Sequence, residues 1–256
     1  MPGITVAAFY RFVALADREL VRSALLTRCN ELDLRGTMLL AHEGINGTIA
    51  GTADDIAALH AYFDTIPALA EMRWKLSHCA EQPFKRMLIK RKNEIVTMGV
   101  ADLPIADHAG TYVPPSEWDA LIARDDVVVV DTRNAYEVAE GTFSGALNPN
   151  IDNFRQFPAW FAQLEQECAI DRDQPIAMFC TGGIRCEKAT ALLRQRGFRN
   201  VYHLEGGILA YLEQPKTTPH DAPGAWQGTC YVFDGRGTVD GDLQPAQRTV
   251  YDPRRA

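Results

Sequence analysis

The chain has 256 residues, 46% apolar and 23% charged, a globular composition long enough for one large domain or two ordinary ones. A net charge of −7 excludes a protein that coats nucleic acid indiscriminately, because that requires a broad basic face; local basic patches stay open. No basic segment precedes an apolar stretch at the N-terminus, and no run approaches the roughly eighteen apolar residues of a membrane span, so neither a signal nor a membrane is expected and the expected compartment is the cytoplasm.

In chain order, Ile4–Tyr10 is apolar and β-rich, and Asp17–Cys29 repeats apolar residues at helical spacing (Leu20, Val21, Ala24, Leu25). Gly36–Leu40 and Gly47–Ala50 read as strands on either side of a turn, His42-Glu43-Gly44-Ile45-Asn46-Gly47. Thr52, followed by Asp54 and Asp55, caps a helix over Ala53–Phe63. Strands follow near Met72–Ser77 and Met87–Val96. The order strand, helix, strand, strand, helix, strand predicts a ferredoxin-like α+β domain over residues 1–97.

From Met98 to Pro115 the pattern dissolves into Gly, Pro, Asp and His, which suits a linker over 98–115. Val127-Val128-Val129-Val130 then has the unalternated β-branched pattern of a parallel strand buried on both faces, with Asp131-Thr132-Arg133 at its carboxyl end. Pro175–Cys180 repeats this arrangement and runs through a Gly-rich turn into a helix from about Cys186 that stops at Gly197. Asn200–Leu204 is another short strand, followed by Glu205-Gly206-Gly207 and a helical stretch to Leu212. Residues 116–215 therefore predict a doubly wound, mostly parallel sheet, whose sites lie at the carboxyl ends of strands. Residues 216–256 form a tail rich in Pro, Gly, Thr and Asp, with a short strand pair expected at Gly228–Phe233 and Thr238.

Six cysteines (Cys29, Cys79, Cys168, Cys180, Cys186, Cys230) include no CxxC pair, so no metal site is expected and a reducing compartment keeps them as thiols. Cys180 falls at a strand end, in Cys180-Thr181-Gly182-Gly183-Ile184-Arg185. Such a loop, above a helix N-terminus, can curl its amides onto the sulfur as an anion-binding nest, and its two glycines ease the curl. A thiolate there, helped by Arg185, falls below the ordinary value of about 8.5 and becomes an ionised, reachable nucleophile. Four residues separate Cys180 from Arg185, where a tyrosine-phosphatase loop has five; the tighter ring suits one sulfur better than a phosphate.

On these residues, 116–215 resemble a rhodanese domain: Val130-Asp131-Thr132-Arg133 with Glu137, Gly141 through Gly145-Ala146-Leu147-Asn148, the six-residue loop, and Leu204-Glu205-Gly206-Gly207. The longer string Cys180-Thr181-Gly182-Gly183-Ile184-Arg185-Cys186-Glu187-Lys188-Ala189, with His42-Glu43-Gly44-Ile45-Asn46-Gly47 upstream, resembles the bacterial tRNA uridine hydroxylases that contain a rhodanese domain. That resemblance implies oxygen-dependent conversion of the wobble uridine (position 34) to 5-hydroxyuridine, with molecular oxygen as co-substrate and Cys180 as catalytic residue. Composition and spacing indicate no hydroxylation and name no cofactor. By themselves they support equally a sulfurtransferase that moves sulfane sulfur through a Cys180 persulfide, with a sulfur-donor protein or small thiol as partner.

Around the catalytic candidates Cys180 and Arg185, the anion-binding loop is Thr181, Gly182, Gly183 and Ile184. Asp131 is expected to fix loop backbone, and Arg133 to hold the loop, bind a substrate anion or form a structural ion pair. Cys186 is either a resolving thiol or a packed one. Lys85, Arg86, Lys90, Arg91 and Lys92, five basic residues within eight positions, and Lys188 among the arginines of the loop helix, are candidate contacts for the phosphates of a tRNA anticodon arm.

Overall fold

A computed structural model describes residues 3–101, 103–167, 170–214 and 226–246; Cys168 and much of the expected tail lie outside them. The chain divides into two units, Met1–Thr97 with Phe233–Gly237 and Leu243–Pro245, and Met98–Val232 with Thr238–Asp242 and Ala246–Ala256. Among the described residues no helix is long and apolar enough to cross a membrane.

The first unit contains β1 (Ile4–Phe12), α1 (Arg18–Glu31), β2 (Arg35–Ala41), β3 (Gly44–Gly51), α2 (Ala53–Asp64), β4 (Trp74–Cys79) and β5 (Met87–Arg91). The strands lie in the order β4-β1-β3-β2-β5. β1 pairs antiparallel with β3 and β4, and β2 with β3. This is the expected ferredoxin-like sandwich, extended at one edge by β5 parallel to β2. Side-chain oxygens of Asp17 and Thr52 accept from the amides of Leu20 and Asp55, closing the first turns of α1 and α2. Both helices bury an apolar face (Leu25, Cys29, Ile56, Leu59, Phe63) on Phe9, Met38, Leu40 and Ile49 of the sheet; burying each such side chain contributes about 1.5–3 kcal/mol.

Two expectations here are corrected. The six-residue turn shrinks to His42-Glu43, because antiparallel pairing runs on to Ala41 opposite Gly44 and leaves a two-residue connection. β5 ends at Arg91 rather than near Val96, because the side chains of the former turn capture the chain beyond it. Glu43 Oε1 accepts from the Ile95 amide at 2.7 Å, and Asn46 Nδ2 donates to the Ile95 carbonyl at 3.0 Å.

In the second unit, α3 (Ile105–His108), β6 (Thr111–Val113), α4 (Pro115–Ile122), β7 (Val128–Asp131), α5 (Ala135–Val138) and β8 (Gly141–Phe143) precede α6 (Phe157–Gln166), β9 (Ile176–Phe179), α7 (Ile184–Gln195), β10 (Val201–Leu204) and α8 (Gly207–Leu212). The strand order β6-β10-β9-β7 is parallel throughout. β9 is buried at all four positions, as its unalternated pattern requires. The stretch read as a linker contributes the edge strand β6; three residues are too few to reveal a periodicity. Beyond α8, β11 (Trp226–Gly228) pairs antiparallel with β8, and β12 (Cys230–Tyr231) with β13 (Thr238–Val239), the strand pair expected in the tail.

Candidate active site

β9 delivers Cys180 to the carboxyl edge of the parallel sheet, and α7 begins four residues later. The intervening turn depends on Gly183, whose φ of 103° lies where a side chain is strained; Gly182 is not in that region, so only one of the two glycines is required by the curl. The Gly183 amide donates to Cys180 Sγ at 3.1 Å, and the Cys186 amide donates to the Gly183 carbonyl at 3.0 Å. Burial alone would raise the Cys180 pKa. The surroundings supplied by Cys186 and by the Arg185 charge and backbone outweigh it and hold the thiol well below its ordinary value. The sulfur and the Gly183 amide that reaches it lie at the N-terminus of a twelve-residue helix.

The expectation of an openly reachable sulfur is corrected, because Cys180 is 0% exposed. Protein groups rather than water solvate the thiolate, and a substrate atom must displace neighbouring groups to touch it.

Behind the loop, α8 donates the amides of Ile208 and Leu209 to the carbonyls of Cys180 (2.9 Å) and Thr181 (3.1 Å). That approach requires Gly207: a Cβ there would lie 2.4 Å from the Cys180 carbonyl oxygen. The Leu204-Glu205-Gly206-Gly207 turn is therefore a support for the loop.

Arg185 is 5% exposed and engages Glu137 in a bidentate pair, Nη1 to Oε1 at 2.6 Å and Nη2 to Oε2 at 2.8 Å. Thr181 Oγ1 also reaches Glu137, at 3.4 Å. Burial pushes the Glu137 carboxyl up, but the Arg185 charge and hydrogen bonds prevail and hold it low. Sequence reasoning passed over Glu137 as a site residue. The available signal was the Asn134–Glu137 spacing of a capping box, realised by the Asn134 amide donating to Glu137 Oε1 at 3.2 Å.

Asp131 and Arg133 form a structural ion pair. Arg133 Nη2 lies 2.7 Å from Asp131 Oδ2, and the guanidinium, 0% exposed, also donates to the carbonyls of Glu137 and Gly141. It stacks over Phe179 and Trp226. This arrangement excludes the substrate-anion role in the state described; Arg133 instead secures the backbone that carries Glu137. The tail completes this wall: the Thr229 amide donates to the Glu140 carbonyl at 2.8 Å, and Thr181 Oγ1 to the Tyr231 carbonyl at 3.5 Å. Cys230 is buried there, and burial pushes its thiol up to about 12.

Ile184 opens α7, and Cys186 follows in its first turn, fully buried against Cys180, with Thr132 Oγ1 3.5 Å from its sulfur. Lys188 does not join the phosphate candidates: at 1% exposure it is enclosed with the site. Nor do Arg196 and Arg199 stand free, since they pair with Glu165 and Asp173 at 2.7 Å. In the other unit Lys85, Arg86, Lys90, Arg91 and Lys92 are all exposed, before, along and just beyond the edge strand β5. Among the described residues no three His, Cys, Asp or Glu side chains are grouped to hold a metal ion.

Two family models match, one described as a UPF0176 acylphosphatase like domain over residues 4–95 and one as a rhodanese-like domain over 114–214. A tRNA uridine(34) hydroxylase of Albidiferax ferrireducens is 51% identical over 98% of this chain and 77% of its own length. The enzyme of that name from Deinococcus radiodurans is 50% identical over 94% and 77%, and that from Mesorhizobium japonicum 48% over the same shares. With half of its residues shared across nearly its whole length, the chain belongs to the tRNA uridine(34) hydroxylase family.

Proposed function

We propose that this protein hydroxylates the wobble uridine of tRNA at C5, with molecular oxygen as co-substrate and Cys180 as the working residue. The observation that carries the reading is a strand-end cysteine whose sulfur accepts the Gly183 amide at the N-terminus of α7, in a chain half identical to enzymes of that name. Replacing the C5 hydrogen by hydroxyl uses one oxygen atom; the other leaves as water, so two electrons must come from a reductant, for which a small thiol is the simplest class. Within this reading the exposed cations of β5 contact anticodon-arm phosphates, which position the RNA without reading its sequence. The wobble base, unstacked from its loop, is the part that enters the site.

The test is nucleoside analysis of tRNA from cells that carry the parent protein, no protein, or Cys180→Ser. The 5-hydroxyuridine derivatives are expected to disappear in the second and third, and to persist with Cys230→Ser. Normal levels without the protein, together with thiosulfate-to-cyanide sulfur transfer by the purified parent, would replace this reading with the sulfurtransferase one.

A further inference from the structure

Arg22 of α1 and Arg91 of β5 converge on one carboxylate. Arg22 Nη1 lies 3.2 Å from Glu19 Oε1, and Arg91 Nη1 lies 3.1 Å from Glu19 Oε2, so two guanidiniums from different elements hold the two oxygens of a single anion. The fold anchors the helix side of this arrangement: Arg22 Nε donates to the Ile89 carbonyl of β5 at 2.9 Å, which lays the side chain across from helix to strand. One turn earlier on the same flank of α1, Arg18 Nη2 meets His42 Nε2 at 2.6 Å and Nη1 meets the Lys92 carbonyl at 3.5 Å. Arginine only donates, so both partners are acceptors. Among the described residues no carboxylate reaches Arg18, and Lys90 and Lys92 beside it in the fold are exposed. The Glu19 carboxylate is 53% exposed, and ion pairs so placed are weak, so it can leave its partners at small cost. A phosphodiester shares one charge over two free oxygens and suits the same pair of guanidiniums.

We propose that Glu19 is an internal stand-in for an RNA backbone phosphate. It occupies an anion site built by Arg22 and Arg91, beside Arg18 and Lys92, and swings out when the phosphate arrives. The inference rests on the reading of this protein as a tRNA-modifying enzyme, from which the class of anion is taken. It adds α1 to the RNA-facing cations and gives Arg18 and Arg22 the same work as those of β5. It also makes Glu19 a competitor of the RNA at one phosphate position, which lowers affinity without regard to base sequence.

The experiment is equilibrium binding of an unmodified tRNA transcript to the full chain at several salt concentrations. The parent is compared with Glu19→Gln, Arg91→Ala, the Glu19→Gln/Arg91→Ala double variant and Glu31→Gln, with circular dichroism to confirm folding. Glu31 is the control, since it lies on the same helix, is similarly exposed, and pairs with Arg28 at 3.1 Å rather than bridging two arginines. Glu19→Gln is expected to bind about three- to fivefold more tightly, the worth of an exposed ion pair that no longer competes. Glu31→Gln, with the same change of charge, should stay within about twofold of the parent. In the Arg91→Ala background the site is dismantled, and the glutamine substitution is expected to gain less than about twofold. A Glu19→Gln variant that binds no more tightly than Glu31→Gln overturns the proposal, as does a gain undiminished in the Arg91→Ala background. A parent that binds no tRNA overturns it together with the reading it rests on; a parent that binds while Glu19→Gln gains nothing overturns it alone.

Discussion

The arginines beside Cys180 and the cations along β5 carry the same charge in opposite surroundings. Arg185 and Arg133 are enclosed, and each is matched by a carboxylate at hydrogen-bonding distance. Arg91 is 61% exposed, and its contact with Glu19 at 3.1 Å joins two side chains that are both more than half in water. In the first setting charge is fixed in place and any change is felt as structure. In the second it is screened, so single residues contribute little and the cluster acts through its sum.

The contrast is broken or sharpened first by removing one carboxylate from each region. Glu137→Gln leaves Arg185 buried without its counter-charge and is expected to destabilise the protein by about 3–5 kcal/mol. Glu19→Gln, which strips the exposed Arg91 of its partner, should change stability by no more than about 1 kcal/mol. Denaturant midpoints measure both; similar losses at the two positions would refute the distinction.

A smaller effect tests the enclosed region through pH. His203 on β10 is buried beside Thr190 and the Tyr112 ring, and burial, followed by the Arg194 charge, lowers its pKa to about 4. The unfolded chain takes up this proton near the ordinary 6.5 and the folded protein does not, so the contribution is present above 6.5 and lost as pH falls toward 4. The expected loss is about 3 kcal/mol, and His203→Leu should flatten that part of the stability profile. A profile identical in parent and variant would mean that the imidazole is readily protonated where it sits.

The smallest effect belongs to the exposed strand. Lys90→Ala is expected to weaken tRNA binding only a few-fold, to a similar degree for different tRNAs, and to lower the salt slope by about one. Lys188→Ala, at an enclosed position, should leave that slope unchanged. A salt slope that responds to Lys188 and not to Lys90 would move the RNA contact away from β5.

The sequence was most legible where periodicity or chain chemistry acts locally. The ferredoxin-like order followed from alternating patterns, and the helix caps from Asp17 and Thr52. The nest at Cys180 followed from a strand, a glycine at positive φ and a helix start in register. Legibility failed where partners are far apart in the chain. Glu137 meets Arg185 across 48 positions, and Thr181 meets the Tyr231 carbonyl across 50. Lys188 looked like one more surface cation because exposure is not written in a charge run.

By itself the sequence determined which sulfur is singled out and what kind of loop surrounds it, because a strand end, a glycine turn and a helix N-terminus are set by neighbours in the chain. Only the tertiary structure decided that Arg185 is tied to Glu137, that Cys186 is buried against Thr132, and that the Cys180 sulfur is shielded from water. Those outcomes depend on which distant groups are driven to pair when charge and thiols leave water together, and that cost is defined only once the chain has closed around them.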